Sequence, residues 1–263
     1  MFVLVQKLLP KHLLSRLARH LAACEIVVIK TLFINLFCLF YRVDIKEARR
    51  TNKSDYLNFN DFFTRSLKEG ARPIHGRISS PADGTVLACG NIIDNTLLQS
   101  KKHNYTVQNL LADETNEFNG GSYITIYLAP HNYHRVHAPR TAELHQTSYV
   151  PGELFSVNPN TSKILPDLLA RNERLVCRFR TDDGPMALIL VGAMLVAGIK
   201  PIWLTTAYKP RLEVATEMQY SFKQGDEIAH FEMGSTVILL FREPLNFVVK
   251  QGDQIRFGQA IIR

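Results

Sequence analysis

A chain of 263 residues, 46% apolar and 21% charged, can bury a sizeable core, which argues against global disorder. Its net charge of +7 sits almost wholly in residues 1–70, which hold 12 Lys/Arg against 6 Asp/Glu; residues 71–263 hold 19 against 18. Basic residues interleaved with a greasy stretch, rather than spread over a folded face, argue against nucleic acid and point to an anionic membrane surface.

From Lys11 to Leu21, the apolar residues Leu13, Leu14, Leu17, Ala18 and Leu21 recur at helical spacing, with Lys11, Arg16, Arg19 and His20 on the other side. That pattern predicts a basic amphipathic helix lying in the headgroup layer. Leu21 to Tyr41 is strongly apolar but interrupted by Glu25, Lys30 and Asn35, and Thr31 to Tyr41 is too short to span a bilayer. A monotopic anchor is expected. Leu21-Ala22-Ala23-Cys24 resembles a lipoprotein processing site, but Arg16, Arg19 and His20 stand where a signal peptide needs its apolar core. Cys24, Cys38, Cys89 and Cys177 contain no CxxC pair, so neither structural zinc nor a disulfide framework is expected, and a reducing compartment is the simplest setting.

Residues 42–70 read as short charged helices, with Asn60-Asp61 capping Phe62-Phe63-Thr64-Arg65. Beyond Pro73, short β-branched runs alternate with Gly, Pro, Asn and Asp. Strands are predicted at Thr85–Cys89, Tyr123–Leu128, Glu143–Val150, Leu175–Thr181, Met186–Val196, Val237–Phe241 and Phe247–Val249, with a helix at Val107–Leu111. The fold class is therefore α+β, mainly β: N-terminal membrane-associated helices (1–70), then a sandwich or barrel-like catalytic domain (71–263). Lys223-Gln224-Gly225-Asp226 returns as Lys250-Gln251-Gly252-Asp253, which predicts two similar hairpin turns.

Three segments offer chemistry. Ser80-Pro81-Ala82-Asp83-Gly84 supplies an acid, Tyr133-His134-Arg135-Val136-His137 supplies histidines, and Gly234-Ser235-Thr236 sets a hydroxyl where a turn enters a buried strand. Acid, histidine and serine are the set that activates a hydroxyl nucleophile. His131, His134 and His137 recur every third residue, which a strand of period two does not bring to one side, so no metal is expected. Thr236 is not followed by glycine, so the nucleophile elbow of an α/β-hydrolase is not offered.

Together with Tyr127-Leu128-Ala129-Pro130, Leu154-Phe155-Ser156-Val157-Asn158, Arg171-Asn172-Glu173-Arg174 and Val191-Gly192-Ala193, these motifs resemble phosphatidylserine decarboxylases of the bacterial, mitochondrial-like type, from about residue 60 to the end. The family often carries leucine where this chain has Met233, a swap that keeps volume and apolarity. The resemblance implies a proenzyme in which Ser235 attacks the Gly234 carbonyl. The resulting ester eliminates to dehydroalanine, and hydrolysis releases ammonia, leaving a pyruvoyl group on residues 235–263 and a larger chain of residues 1–234. His137 would be the base, with Asp83 fixing its tautomer. The pyruvoyl cofactor would form a Schiff base with phosphatidylserine, and His134 would protonate the α-carbon after CO2 leaves, giving phosphatidylethanolamine. The same resemblance implies a peripheral protein on the cytoplasmic face of the inner membrane, with homodimer formation left open. Two other readings use the same residues: an uncleaved membrane-associated serine hydrolase, and a β-domain without activity.

Overall fold

A computed structural model describes residue 18 and residues 20–100, 103–193, 198–208, 214–232 and 235–263. The predicted amphipathic helix of Lys11–Leu21 lies outside the described residues except for its last turn. Helix α1 (Val27–Tyr41) follows, then a short helix α2 (Phe59–Phe63). The cap of α2 is Asn58, whose side chain accepts from the Asp61 amide at 3.0 Å, two residues before the predicted cap. Asp61 is instead drawn away by Arg50, in a two-pronged ion pair.

Asn35 lies exposed on a flank of α1 and accepts from Lys53 at 2.9 Å, whereas Lys30 lies on the inner side, where its Nζ donates to the carbonyl of Tyr56 at 2.6 Å. Phe33 and Phe37 meet Phe59 edge-on on the same side, at 5.2 and 5.0 Å between ring centres. The outer side is apolar and open: Val28, Leu39 and Phe40 are 76%, 72% and 75% exposed.

Thirteen strands follow among the described residues. β1 (Gly84–Asn91), β4 (Ser122–Leu128), β6 (Ala142–Val150), β7 (Arg174–Thr181), β8 (Gly184–Val191), β10 (Val214–Phe222), β12 (Ser235–Phe241) and β13 (Gln254–Ile255) form an antiparallel sheet in the order β10-β6-β7-β8-β12-β4-β1-β13. β5 (Arg135–His137), β11 (Glu227–Phe231) and β9 (Ile199–Pro201) form a second sheet, and β2 (Thr96–Ser100) pairs with β3 (His103–Thr106). The large sheet begins at β10 and ends at β13 without closing, so the architecture is layered and the barrel-like alternative is corrected.

Both faces of that sheet are covered. Val237, Leu239 and Phe241 of β12 pack into one core with Val136, Ile228 and Phe231 of the small sheet. Ile238 and Leu240 point into a second core beneath α3 (Val107–Leu111) and α5 (Leu168–Arg171), the short helix α4 (Pro159–Ser162) lying between them in sequence. A strand buried on both sides reads as an unbroken apolar run, which is why β12 shows no alternation.

The repeated Lys-Gln-Gly-Asp segments do make matching turns. Asp226 and Asp253 each accept from the amide of the lysine three residues earlier, at 2.7 and 2.9 Å. Gly225 and Gly252 take φ of 93° and 96°, as the third position of a type II turn requires. Neither turn closes a hairpin. The first passes from β10 to β11, in different sheets, and before the second, Phe247–Val249 makes only an isolated bridge from Phe247 to Ile262.

Candidate active site

Ser235 opens β12 opposite Leu128 of β4, with Thr236 set between Tyr127 and Val191. Both hydroxyl-bearing residues are fully buried, and neither Oγ of Ser235 nor Oγ1 of Thr236 has a hydrogen-bond partner among the described residues. An unpaired buried hydroxyl costs about 1–3 kcal/mol, and Ser235 carries that cost at the head of the central strand. Gly234 itself lies outside the described residues.

The histidines sit on the loop and strand that follow β4. His131 is exposed, whereas His134 and His137 are buried. His134 Nδ1 lies 2.9 Å from the carbonyl of Asn132. A carbonyl only accepts, so Nδ1 carries the proton and Nε2 presents its lone pair. That Nε2 is buried and unpartnered. Burial lowers the His134 pKa to about 3, outweighing the raising effect of the Asn132 bond, so the ring rests neutral. The ring also packs against Phe63 of α2 at 4.1 Å.

His137 shows the same tautomer. Nδ1 donates to the carbonyl of Gly225 at 2.8 Å, and Nε2 accepts from the Tyr133 hydroxyl at 3.0 Å. Desolvation brings its pKa to about 4 against the opposing pull of the Gly225 bond, while burial raises that of Tyr133, which therefore stays a donor. Phe257 stacks on the His137 ring at 3.7 Å.

No hydrogen bond joins Asp83 to His137 among the described residues. One carboxylate oxygen accepts from the Phe257 amide at 2.7 Å and the other from Arg72 at 3.1 Å. The expected tautomer-fixing bond is thus made by Gly225, and Asp83 reaches His137 through the backbone of the residue that stacks on it. Burial works against the charge of Arg72, but hydrogen bonds to Glu47 and Asp83 outweigh it and raise its pKa. The glycine after Asp83 is needed because a Cβ at Gly84 would lie 2.4 Å from the Tyr127 carbonyl oxygen of β4.

Two of the three motifs therefore meet through main chain. The His137 amide donates to the Pro81 carbonyl at 2.9 Å, and the Phe231 amide to the His134 carbonyl at 3.0 Å, four residues before Ser235. No hydrogen bond joins Ser235 to either histidine among the described residues. Tyr133, Gly225 and Phe257 were not legible as site residues. Gly225 had a signal, since it belongs to the repeated turn, but nothing in the sequence tied that turn to a histidine.

A neutral histidine with a free lone pair, a buried unpartnered serine and a second neutral histidine can move protons at a site closed to water. A pyruvoyl group at position 235 fits this environment: it carries a methyl where the hydroxymethyl stood, and the Oγ it loses makes no hydrogen bond among the described residues.

A family model described as phosphatidylserine decarboxylase matches residues 59–263, and a second, described as PSD, matches residues 1–42. A phosphatidylserine decarboxylase proenzyme of Alcanivorax borkumensis is 45% identical, the alignment covering 97% of this chain and 93% of that protein. Proteins of the same name from Pseudoalteromonas translucida and Pseudomonas fluorescens are 44% and 42% identical, over 90% and 99% of this chain and 87% and 96% of theirs.

Proposed function

The chain belongs to the phosphatidylserine decarboxylase family and is a carboxy-lyase; we propose that it cuts itself between Gly234 and Ser235 and then converts phosphatidylserine to phosphatidylethanolamine and CO2. Two of the unpartnered buried atoms, Ser235 Oγ and His134 Nε2, carry this reading.

In the first reaction, Ser235 Oγ forms a bond to the Gly234 carbonyl carbon, and the Oγ proton passes to His137 Nε2. The amide nitrogen of Ser235 leaves with a proton, so the peptide becomes an ester between residues 1–234 and 235–263. Nε2 is free for this only once the Tyr133 hydroxyl has turned aside. Loss of the Ser235 α-proton then expels the Gly234 carboxylate, and water removes the nitrogen as ammonia.

A pyruvoyl group at position 235 would supply a carbonyl for the lipid amine and an electron sink for the charge left by CO2. His134 works around it. Because the ring rests neutral, the proton it delivers must first be accepted: Nε2 takes one from the lipid ammonium and returns it to the α-carbon after CO2 departs. Burial beside Phe63 keeps water from protonating the same carbon uncontrolled. Carboxyl-labelled phosphatidylserine in vesicles, incubated with the full chain, tests this reading; labelled CO2 is expected, and its absence from matured protein would refute it.

Asp83 serves here as a positioning residue, pinning residue 257 of the smaller chain to the larger one. In Asp83→Asn, an amide faces Arg72 where a carboxylate stood. Breaking a buried pair costs about 3–5 kcal/mol, so a lower melting temperature and cleavage slowed at least tenfold are expected. A cleavage time course with thermal denaturation checks this; wild-type maturation would remove Asp83 from the account.

Residues 1–70 form the anchoring segment in this reading, docked on the cytoplasmic face of an anionic inner membrane. At 15 residues and 1.5 Å each, α1 is about 22 Å long, and no helix among the described residues is long and apolar enough to cross a bilayer. Its outer side, Val28, Leu32, Leu36, Leu39 and Phe40, suits the interface while Lys30 turns inward. Val28→Lys with Leu39→Lys is expected to reduce partition onto phosphatidylglycerol vesicles at least tenfold, each apolar side chain contributing roughly 1.5–3 kcal/mol when buried. Unchanged cosedimentation would contradict the anchor.

A further inference from the structure

Arg65 is buried, at 4% exposure, and pairs with no carboxylate among the described residues. Its Nη2 donates to the main-chain carbonyls of His131 and Asn132, at 3.2 and 3.4 Å, while Nη1 is enclosed and has no partner among the described residues. Desolvation lowers its pKa, as burial of an uncompensated cation must. Arg65 lines a cleft of about 270 Å³ that it shares with Arg42, Arg72, Asp83, Tyr133 and Arg256. The other charges there are largely satisfied. Arg72 bonds Glu47 and Asp83, Arg256 reaches Glu47, and Asp44 accepts from the Lys46 amide. What remains is the buried Nη1 of Arg65, the buried Nε of Arg72 and, at the rim, exposed Arg42.

We propose that this cleft is the subsite for the phosphodiester of the lipid headgroup, with Arg65 as its buried donor and Arg42 as its rim cation. The inference rests on the decarboxylase reading above. Arg42 caps the C-terminal end of α1, whose outer side is apolar, so the cleft opens at the depth where phosphates lie when that side meets a bilayer. Tyr133 lines the cleft, precedes His134 and bonds His137, so an anion on Arg65 is held beside the histidine loop. The phosphodiester is favoured over the substrate carboxylate on energetic grounds. A cation bonded to the carboxylate stabilises charge that must vanish as CO2 forms, and so would raise the barrier.

The full-length Ser235→Ala chain, which keeps the cleft and does not turn over, is titrated by calorimetry with glycerophosphoserine, inorganic phosphate and free serine. Glycerophosphoserine is expected to bind more tightly than inorganic phosphate, and inorganic phosphate to displace it. Adding Arg65→Gln is expected to weaken glycerophosphoserine roughly tenfold or more, as loss of a charge-assisted hydrogen bond implies, with partial rescue by Arg65→Lys and no change for serine. Because Arg65 also holds the histidine loop, Arg42→Gln gives a second measure on an exposed side chain, with a several-fold loss expected. Equal affinity in both glutamine variants overturns the proposal. So does tighter binding of inorganic phosphate than of glycerophosphoserine, or a loss confined to serine. A wild-type chain that binds glycerophosphoserine through Arg65 yet releases no CO2 from phosphatidylserine would refute the decarboxylase reading and leave the subsite standing.

Discussion

Ser235→Ala is expected to remain one chain of 29.9 kDa, fully folded and without decarboxylase activity. The fold does not need the hydroxyl. Oγ makes no hydrogen bond among the described residues, and the main chain of β12 keeps its pairing with β4 and β8 whatever the side chain. Removing an unsatisfied buried hydroxyl relieves a desolvation cost of about 1–3 kcal/mol, so the melting temperature of the variant should equal or exceed that of the uncleaved wild type. Stability and activity would then move in opposite directions, as expected of a residue kept for chemistry. A denaturing gel, a melting curve and a CO2 assay check this; any cleavage at residue 235 in the variant would end the serine assignment.

His134→Ala is expected to separate the two reactions. Cleavage proceeds, since the proton of Ser235 goes to His137, while CO2 release falls about 10²–10⁴-fold, the usual worth of a positioned acid–base group. The pH profile carries a second signature. Burial disfavours the imidazolium, so His134 stays neutral as pH falls from 8 to 5 and protonates only near 3. Wild-type turnover should show no step near 6.5 from this group. Stability behaves differently: below about pH 6.5 the unfolded chain takes up protons that buried His134 and His137 refuse, so the folded state loses ground as pH falls toward 4. Full turnover by the variant, or a wild-type rate that titrates at 6.5, would assign the α-carbon proton to another group.

The sequence revealed these candidates unevenly. Ser235 was legible because a glycine, a hydroxyl and an unbroken apolar run announce a turn entering a strand covered on both faces. The two Lys-Gln-Gly-Asp turns were legible because Gly-Asp chemistry is local. That they join different sheets instead of closing hairpins was not, since strand pairing is decided by the whole layer stack. That the bond expected between Asp83 and His137 is made by Gly225 was not legible for a related reason. An acid, a histidine and a serine suggest a relay, but which oxygen meets which nitrogen depends on β13 bringing the Phe257 amide to the carboxylate and on the 223–226 turn bringing the Gly225 carbonyl to the imidazole. The polar interruptions of α1 weakened its reading as a span and gave no hint that Lys30 faces the protein while the greasy side looks out.

Intact mass of freshly purified wild-type protein tests the central claim most directly. Two polypeptides are predicted, the smaller comprising residues 235–263 with an N-terminal ketone that reacts with hydrazide probes. A single unbroken chain that nonetheless released CO2 from phosphatidylserine would contradict the account.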